Sequence, residues 1–412
     1  MKNKFLLEMQ SRGYLNQCTD LGKLEEICNK RPICGYIGFD CTAKSLHVGS
    51  LLQIMILKLM QKYGHQPIIL LGGGTTLIGD PSGKDSTRKI LEKKEIKKNI
   101  ISLKKVFTKI LDTSNKKTKP IFVDNAEWLT KLKYIQFLRD IGTHFTINKM
   151  LTFDSVKLRL EREQSLSYME FNYMILQAYD FYQLFKNKKC ILQIGGSDQW
   201  GNIINGVELI RRMLKKESYG LTSPLITLAS GAKMGKTEKG AIWLNEDLFS
   251  SYNYWQFWRN TDDRDVKRFL NFFTELETSY IDKICNKEKN INNLKILLAN
   301  EATKILHGET ASKKAENTAK ETFKEGGLGV GLPEIKINSN QLDLGINFLN
   351  FISQNKILSS KSEARRAIAN KGLKINDEVV LDDSRILSEK DFKEKMLKIS
   401  FGKKKHYIVK II

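Results

Sequence analysis

The sequence predicts an α/β protein: a Rossmann-like domain on a parallel sheet, then an α-helical domain, then a small α+β C-terminal module. Three observations carry this. The runs ICGYIGFD (33–40), PIILLGGG (67–74), PIFVDN (120–125) and CILQIGG (190–196) are continuously apolar, as strands covered on both faces are. Helix-length segments separate them, which parallel strands need for their crossovers. Past residue 245 the pattern turns helical, and past residue 340 short helices and short strands alternate.

Between the first two strands, GSLLQIMILKLMQKYG (49–64) reads as an apolar helix. A charged helix is expected over 88–112, and others near 131–142, 149–163, 168–186 and 198–216. PLITL (224–228) reads as a further strand leading into GAKMGKTEKG. The stretch EGGLGVGLPEIKINSN (325–340) is rich in glycine and reads as a linker or extended crossing. In the tail, LGINFLNFISQNKI and SKSEARRAIANKG read as helices, and LKINDEVVLDD and KISFGKKKHYIVKI as strands. The expected domains are 1–222 (catalytic), 223–328 (signature loop and helical domain), 329–344 (linker) and 345–412 (C-terminal module).

Composition narrows the class. With 41% hydrophobic and 28% charged residues the chain is globular rather than disordered. No apolar stretch reaches the ~18 residues of a membrane span. Polar and acidic residues come too early for a signal peptide, so a soluble cytoplasmic protein with no membrane partner is expected. The six cysteines show no C-x-x-C pair and the five histidines are scattered, so reduced thiols and no structural metal are expected. A net charge of +22 suits a polyanionic partner, although lysine-rich codon usage gives the same number. Distribution is more telling. Residues 88–119 hold twelve Lys/Arg against three acids, and residues 356–375 hold six against one.

Chemistry concentrates where strands end. YIGFDCTAKSLHVGS (36–50) leaves a strand and opens a helix at His47, Gly49 and Ser50, where free N–H groups suit phosphates. His47 also reads as a simple helix cap. LLGGGTTLIGDPSGK (70–84) ends a strand in glycines and carries Asp80 and Lys84. Its plain alternative is a tight Asx turn. In FNYMILQAYDFYQLF, Tyr173, Gln177 and Asp180 stand at i, i+4 and i+7 on one helix face. That face is either solvated or a polar pocket wall; its apolar neighbours favour the wall. LQIGGSDQWGN (192–202) again ends a strand in Gly-Gly, before Asp198 and Gln199. Three such ends describe one crevice. GAKMGKT (231–237) lacks one residue of the phosphate-loop spacing. It suits a mobile flap that closes lysines onto phosphates.

Together these segments resemble the bacterial tyrosyl-tRNA synthetases, class I enzymes. HVGS is similar to the family's HIGH signature and KMGKT to its KMSKS signature. YIGFDCT, TLIGDPSGK, YMILQAYD and QIGGSDQWGN are similar to its substrate-pocket motifs, in order, over residues 1–330. The tail resembles the S4 RNA-binding module. The resemblance implies activation of L-tyrosine by ATP, with Mg²⁺, to tyrosyl-adenylate, and transfer to the terminal ribose of tRNA(Tyr). It also implies a homodimer.

By that resemblance, Tyr36 and Asp180 hold the phenol hydroxyl of the substrate. Tyr173 and Gln177 hold its amino group, with Asp80 and Asn125 nearby. Asp40 and Gln199 position the amine or the carboxylate. Gly38, His47, Gly49 and Ser50 meet ATP, and Gly196 and Asp198 approach its ribose. Thr42, His47, Lys233, Lys236 and Thr237 bind the pyrophosphate portion, helped by Lys84 and Arg88. Arg365 and Arg366 contact tRNA. Two residues depart from the pattern: Ser50 replaces a frequent second histidine, and Cys41 replaces a usual proline. A tryptophanyl enzyme of the same class has no use for Tyr36 and Asp180, since indole carries no hydroxyl. A decayed, non-catalytic RNA binder would not keep His47, Lys233 and Lys236. A phosphate-loop kinase fails on glycine spacing.

Overall fold

The computed structural model describes residues 2–80, 91–232, 234–237, 240–322, 332–343, 345–402 and 405–412. Contacts divide the chain into two compact units. The first comprises Met1–Lys236, Ala241–Leu248 and Asp262–Lys289; the second comprises Thr237–Gly240, Phe249–Thr261 and Asn290–Ile412.

The first unit is built on a six-stranded sheet. Its strands are β1 (Gln17–Cys18), β2 (Cys34–Asp40), β3 (Gln66–Gly72), β4 (Ile121–Asp124), β5 (Cys190–Gly196) and β6 (Tyr219–Ser223), in the order β1-β6-β5-β2-β3-β4. All neighbours are parallel except the edge pair β1–β6. The apolar runs explain this: Ile68, Ile69, Leu71, Leu192 and Ile194 are buried, because helices cover both faces. The chain runs outward from β2 through β3 to β4, then returns to place β5 on the other side of β2. Ligands of open α/β sheets bind at the carboxyl ends of the strands flanking such a reversal.

The helix Leu51–Lys62 starts after a 3₁₀ turn at Val48–Ser50. The long helix Tyr168–Lys188 opens with a capping box, Ser167 with Glu170, and closes at Lys189 in the left-handed region, φ 54°. Buried Arg159 pairs with Glu170 at 3.1 Å, fixing its first turn. In the same unit Arg12 donates to the carbonyls of Asn271, Thr274 and Leu276, and Tyr14 to that of Phe272. These bonds tie the amphipathic helix Val266–Phe273 to the N-terminal segment, although sequence grouped it with the helical region.

Several local expectations shift. The 131–142 segment becomes the helix Tyr134–Asp140 and a 3₁₀ turn, and the 149–163 segment splits into Ile147–Met150 and Asp154–Glu161. PLITL is not a strand: β6 ends at Ser223 because its ladder partner β5 ends at Gly196.

The second unit holds the helices Ser251–Arg259, Ile291–His307 and Glu309–Thr322, and a five-stranded sheet. Those strands are β7 (Glu334–Ile337), β8 (Leu373–Ile375), β9 (Glu378–Val379), β10 (Met396–Phe401) and β11 (Lys405–Ile411). LKINDEVVLDD is a hairpin rather than one strand, because Asn376 and Asp377 take positive φ (48° and 69°), the geometry of a tight primed turn. The expected linker contains β7, which pairs parallel with β11, and the short helix Ser339–Asp343. Phe348, Phe351, Ile352, Leu397 and Val409 give this module its own core. Among the described residues no helix is long and apolar enough to cross a membrane.

Candidate active site

A cavity of about 510 Å³ opens at the carboxyl ends of β2 and β5. Tyr36, Gly38, Asp40, Thr42, His47, Gly49 and Ser50 line it from the first signature segment. Asp80, Asn125, Tyr173, Gln177, Asp180, Gly196, Asp198 and Gln199 line it from the others. Lys84, Arg88 and Lys233 lie outside the described residues, as do the side chains of Lys236 and Thr237.

At one end of the cavity Asp180 is almost fully buried. Its Oδ2 accepts from Asn125 Nδ2 at 2.8 Å and its Oδ1 from Trp128 Nε1 at 2.7 Å. Burial, only partly offset by these two donors, pushes its pKa up to about 7. Tyr36 lies beside it, and burial followed by the Asp180 charge raises the phenol well above its ordinary value. The Tyr36 hydroxyl is buried with no hydrogen-bond partner among the described residues. An unmatched buried hydroxyl costs about 1–3 kcal/mol. It is therefore a position where a ligand's polar atom is favoured.

Asn125, which sequence placed near the residues for the amino group, is bonded here to Asp180. Its Oδ1 accepts from Gly74 N at 2.7 Å, and its Nδ2 also reaches Thr75 Oγ1 at 3.0 Å. Both ends of the Asn125 amide are thus engaged by protein groups, Asp180 among them.

A second network lies along the cavity. Gln199 Nε2 donates to Asp80 Oδ2 at 3.0 Å, and Gln177 Nε2 to Gln199 Oε1 at 3.3 Å. Asn202 Nδ2 reaches Gln177 Oε1 and Gln199 Oε1, at 3.2 and 3.1 Å. Tyr173 donates to Asp40 Oδ1 at 3.3 Å. Three carboxylates, Asp40, Asp80 and Asp198, thus line the cavity beyond Asp180, which suits a cationic amine. The helix face read from Tyr173, Gln177 and Asp180 is a pocket wall, not a solvated surface.

The two signature segments meet. His47 caps its own turn, Nδ1 accepting from Gly49 N at 3.1 Å, which places the proton of the neutral ring on Nε2. His47 thus caps its turn and also lines the cavity. A Cβ on Gly49 would lie 2.7 Å from the Met234 carbonyl. A Cβ on Gly235, whose φ is +99°, would lie 2.4 Å from His47 Nδ1. Only glycine at both positions lets the KMGKT backbone rest on the HVGS turn.

Sequence reasoning missed Trp128, Thr75, Gln193 and Asn202. Trp128 sits one helical turn after Asn125, so an indole N–H three residues past a strand-end asparagine was the available signal. Gln193 sits directly across from Tyr36 on β5, and its side-chain oxygen is buried with no partner among the described residues. Its cross-strand pairing was not readable from sequence.

Comparison with known proteins gives a consistent picture. Residues 28–324 match the family model for tRNA synthetases class I (W and Y), and residues 325–409 match the tyrosine–tRNA ligase SYY-like C-terminal domain. The chain is 60% identical to the tyrosine–tRNA ligase of Pelagibacter ubique, over the whole of both chains. It is 52% identical to that of Zymomonas mobilis, over 99% of this chain and 98% of that one. Among solved structures, a C-terminally truncated Aspergillus nidulans mitochondrial tyrosyl-tRNA synthetase superposes with a TM-score of 0.70 at 29% identity, covering 78% of this chain and 95% of that one.

Proposed function

We propose a residue-level mechanism from one premise: the chain belongs to the class I tRNA synthetases, among the tyrosine–tRNA ligases. It is an enzyme that joins tyrosine to tRNA with ATP. The observation that carries the residue assignment is the buried, unpartnered Tyr36 hydroxyl beside Asp180.

The substrate phenol donates its O–H to Asp180 and accepts from Tyr36. Asn125 and Trp128 keep the Asp180 carboxylate aimed. Asp80, Tyr173 and Gln177 receive the ammonium group, and Asp40 and Gln199 orient it and the carboxylate. The substrate carboxylate oxygen attacks the α-phosphorus of ATP. A new P–O bond forms and the bond to pyrophosphate breaks. The nucleophile is already ionised, so no general base is required, and catalysis rests on positioning and charge stabilisation. Gly38, Gly49, Ser50, Gly196 and Asp198 cradle the nucleotide. His47 donates from Nε2, and Thr42, Lys84, Arg88, Lys233, Lys236 and Thr237 stabilise the departing pyrophosphate. A tRNA ribose hydroxyl then attacks the mixed anhydride, forming the ester and releasing AMP.

Magnesium would enter with ATP and would supply positive charge to the phosphates as pyrophosphate departs. The exposed Arg365 and Arg366, on the helix Lys361–Ala369, contact tRNA from an S4-like module. A homodimer would cover the exposed Tyr134, Ile135, Ile147 and Tyr168, the two tyrosines being joined at 2.9 Å through their hydroxyls. A cytoplasmic location is part of the same proposal.

The test is ATP–pyrophosphate exchange across the amino acids. Exchange with tyrosine alone is expected. Exchange with tryptophan and none with tyrosine overturns the assignment of Tyr36 and Asp180. A site built to bond a hydroxyl rejects the analogue that lacks it, a rule for which this same family is the known example.

A further inference from the structure

The amino ends of the strands carry a second concavity, of about 500 Å³. Its floor is Ile33, Cys34, Gln66 and Ile191, at the beginnings of β2, β3 and β5. Its rim carries five exposed cations from three separate turns. Arg31 follows the helix Leu21–Lys30, Lys116 and Lys117 precede β4, and Lys188 and Lys189 are the last residue and the cap of the long helix before β5. No aspartate or glutamate lines it, and no ion pair engages these five cations among the described residues.

Part of this has a plain explanation. Arg31, Lys188 and Lys189 stand at helix C-termini, where the macrodipole favours cations. Lys116 and Lys117 do not, since the preceding helix ends at Ile110. Five like charges around one hollow repel each other, and a polyanion would relieve that repulsion.

We propose that this groove docks the phosphate backbone of RNA, independently of sequence and away from the reaction centre. A compact anion such as free pyrophosphate fits less well. Helices present carbonyl ends here rather than N–H ends, so nothing cradles a single phosphate. The cations are spread over three turns, which suits a chain of phosphates. The proposal does not rest on the residue roles assigned in the cavity.

The experiment compares wild type with K116Q/K117Q/K188Q/K189N; asparagine suits residue 189 because its φ is 54°. Binding of an unrelated single-stranded RNA is measured by anisotropy against salt, and tyrosine-dependent pyrophosphate exchange is measured in parallel. Each phosphate contact contributes about 0.7 to the salt slope, so the variant slope should flatten by up to about 3 and its affinity at low salt fall at least about tenfold. Exchange should stay unchanged. Unaltered RNA affinity and slope overturn the proposal. So does loss of poly-glutamate binding with RNA binding intact, which would make the groove a site for acidic protein. An equal loss with a tRNA(Tyr) transcript supports the proposal and identifies the substrate as an occupant.

Discussion

The two ends of the six-stranded sheet do opposite things with polar groups. At the carboxyl ends, Asp180, Asn125 and Gln193 are buried and sit within hydrogen-bond networks or beside unpartnered oxygens. At the amino ends, Arg31, Lys116, Lys117, Lys188 and Lys189 are exposed, with no ion pair recorded for them among the described residues. Geometry dominates the first end, because a buried donor or acceptor tolerates only a matching partner. Long-range attraction dominates the second, where water screens every contact and salt sets its strength. A sheet of one hand can therefore carry a selective site and an unselective surface without either interfering with the other.

Breaking the geometric end should have the largest effects. Asp180→Ala removes a charged acceptor and leaves the Asn125 and Trp128 donors unmatched. Together these cost about 4 kcal/mol, so kcat/KM for tyrosine in pyrophosphate exchange should fall about 1000-fold and preference over phenylalanine should shrink. An unchanged tyrosine-to-phenylalanine ratio would remove Asp180 from the phenol site. Gly235→Ala forces a Cβ onto His47 and strains a φ of +99°, so the signature loop cannot settle. Exchange should drop about 100-fold, the typical effect of an ångström-scale misplacement, while tyrosine affinity measured by calorimetry without ATP stays level.

Trp128→Phe tests whether Asp180 needs both of its donors. Losing one bond to a charged acceptor, about 1.5–3 kcal/mol, should weaken tyrosine binding at least about tenfold and move the Asp180 titration upward. Proton linkage gives a related test. Asp180 must be ionised to accept from the phenol, and its pKa in the free protein is raised to about 7 by burial. Below that pH, binding must expel a proton. Tyrosine affinity should fall up to about tenfold per unit as pH drops below about 7, and level off above it. Asp180→Asn should abolish that slope. The smallest effect belongs to the amino ends: the four-lysine variant should change exchange by less than about twofold, because nothing there touches the cavity.

The legibility of the fold followed burial. The strands β2, β3 and β5 were readable because burial on both faces leaves an uninterrupted apolar run. β6 was missed since the residues Tyr219–Ser223 include glycine, threonine and serine, and their burial comes from neighbours. β7 was hidden inside an apparent linker because its place depends on pairing with β11, more than sixty residues later. In the site, motifs brought the cavity residues together on one list, but not the bond that joins Asn125 to Asp180. The role of Asn125 is set by who reaches its amide, not by its place in the chain.

By itself the sequence determined the class of protein, the parallel sheet, and the set of residues at the strand ends. Apolar periodicity, glycine and the order of motifs are local properties that survive in a one-dimensional string. The tertiary structure alone decided the partners. It joined Trp128 to Asp180, left the Tyr36 hydroxyl unmatched beside it, and set Gly235 against His47. It also gathered cations from three distant turns around one hollow. Those facts depend on distances between residues far apart in the chain, and such distances exist only once the chain has folded.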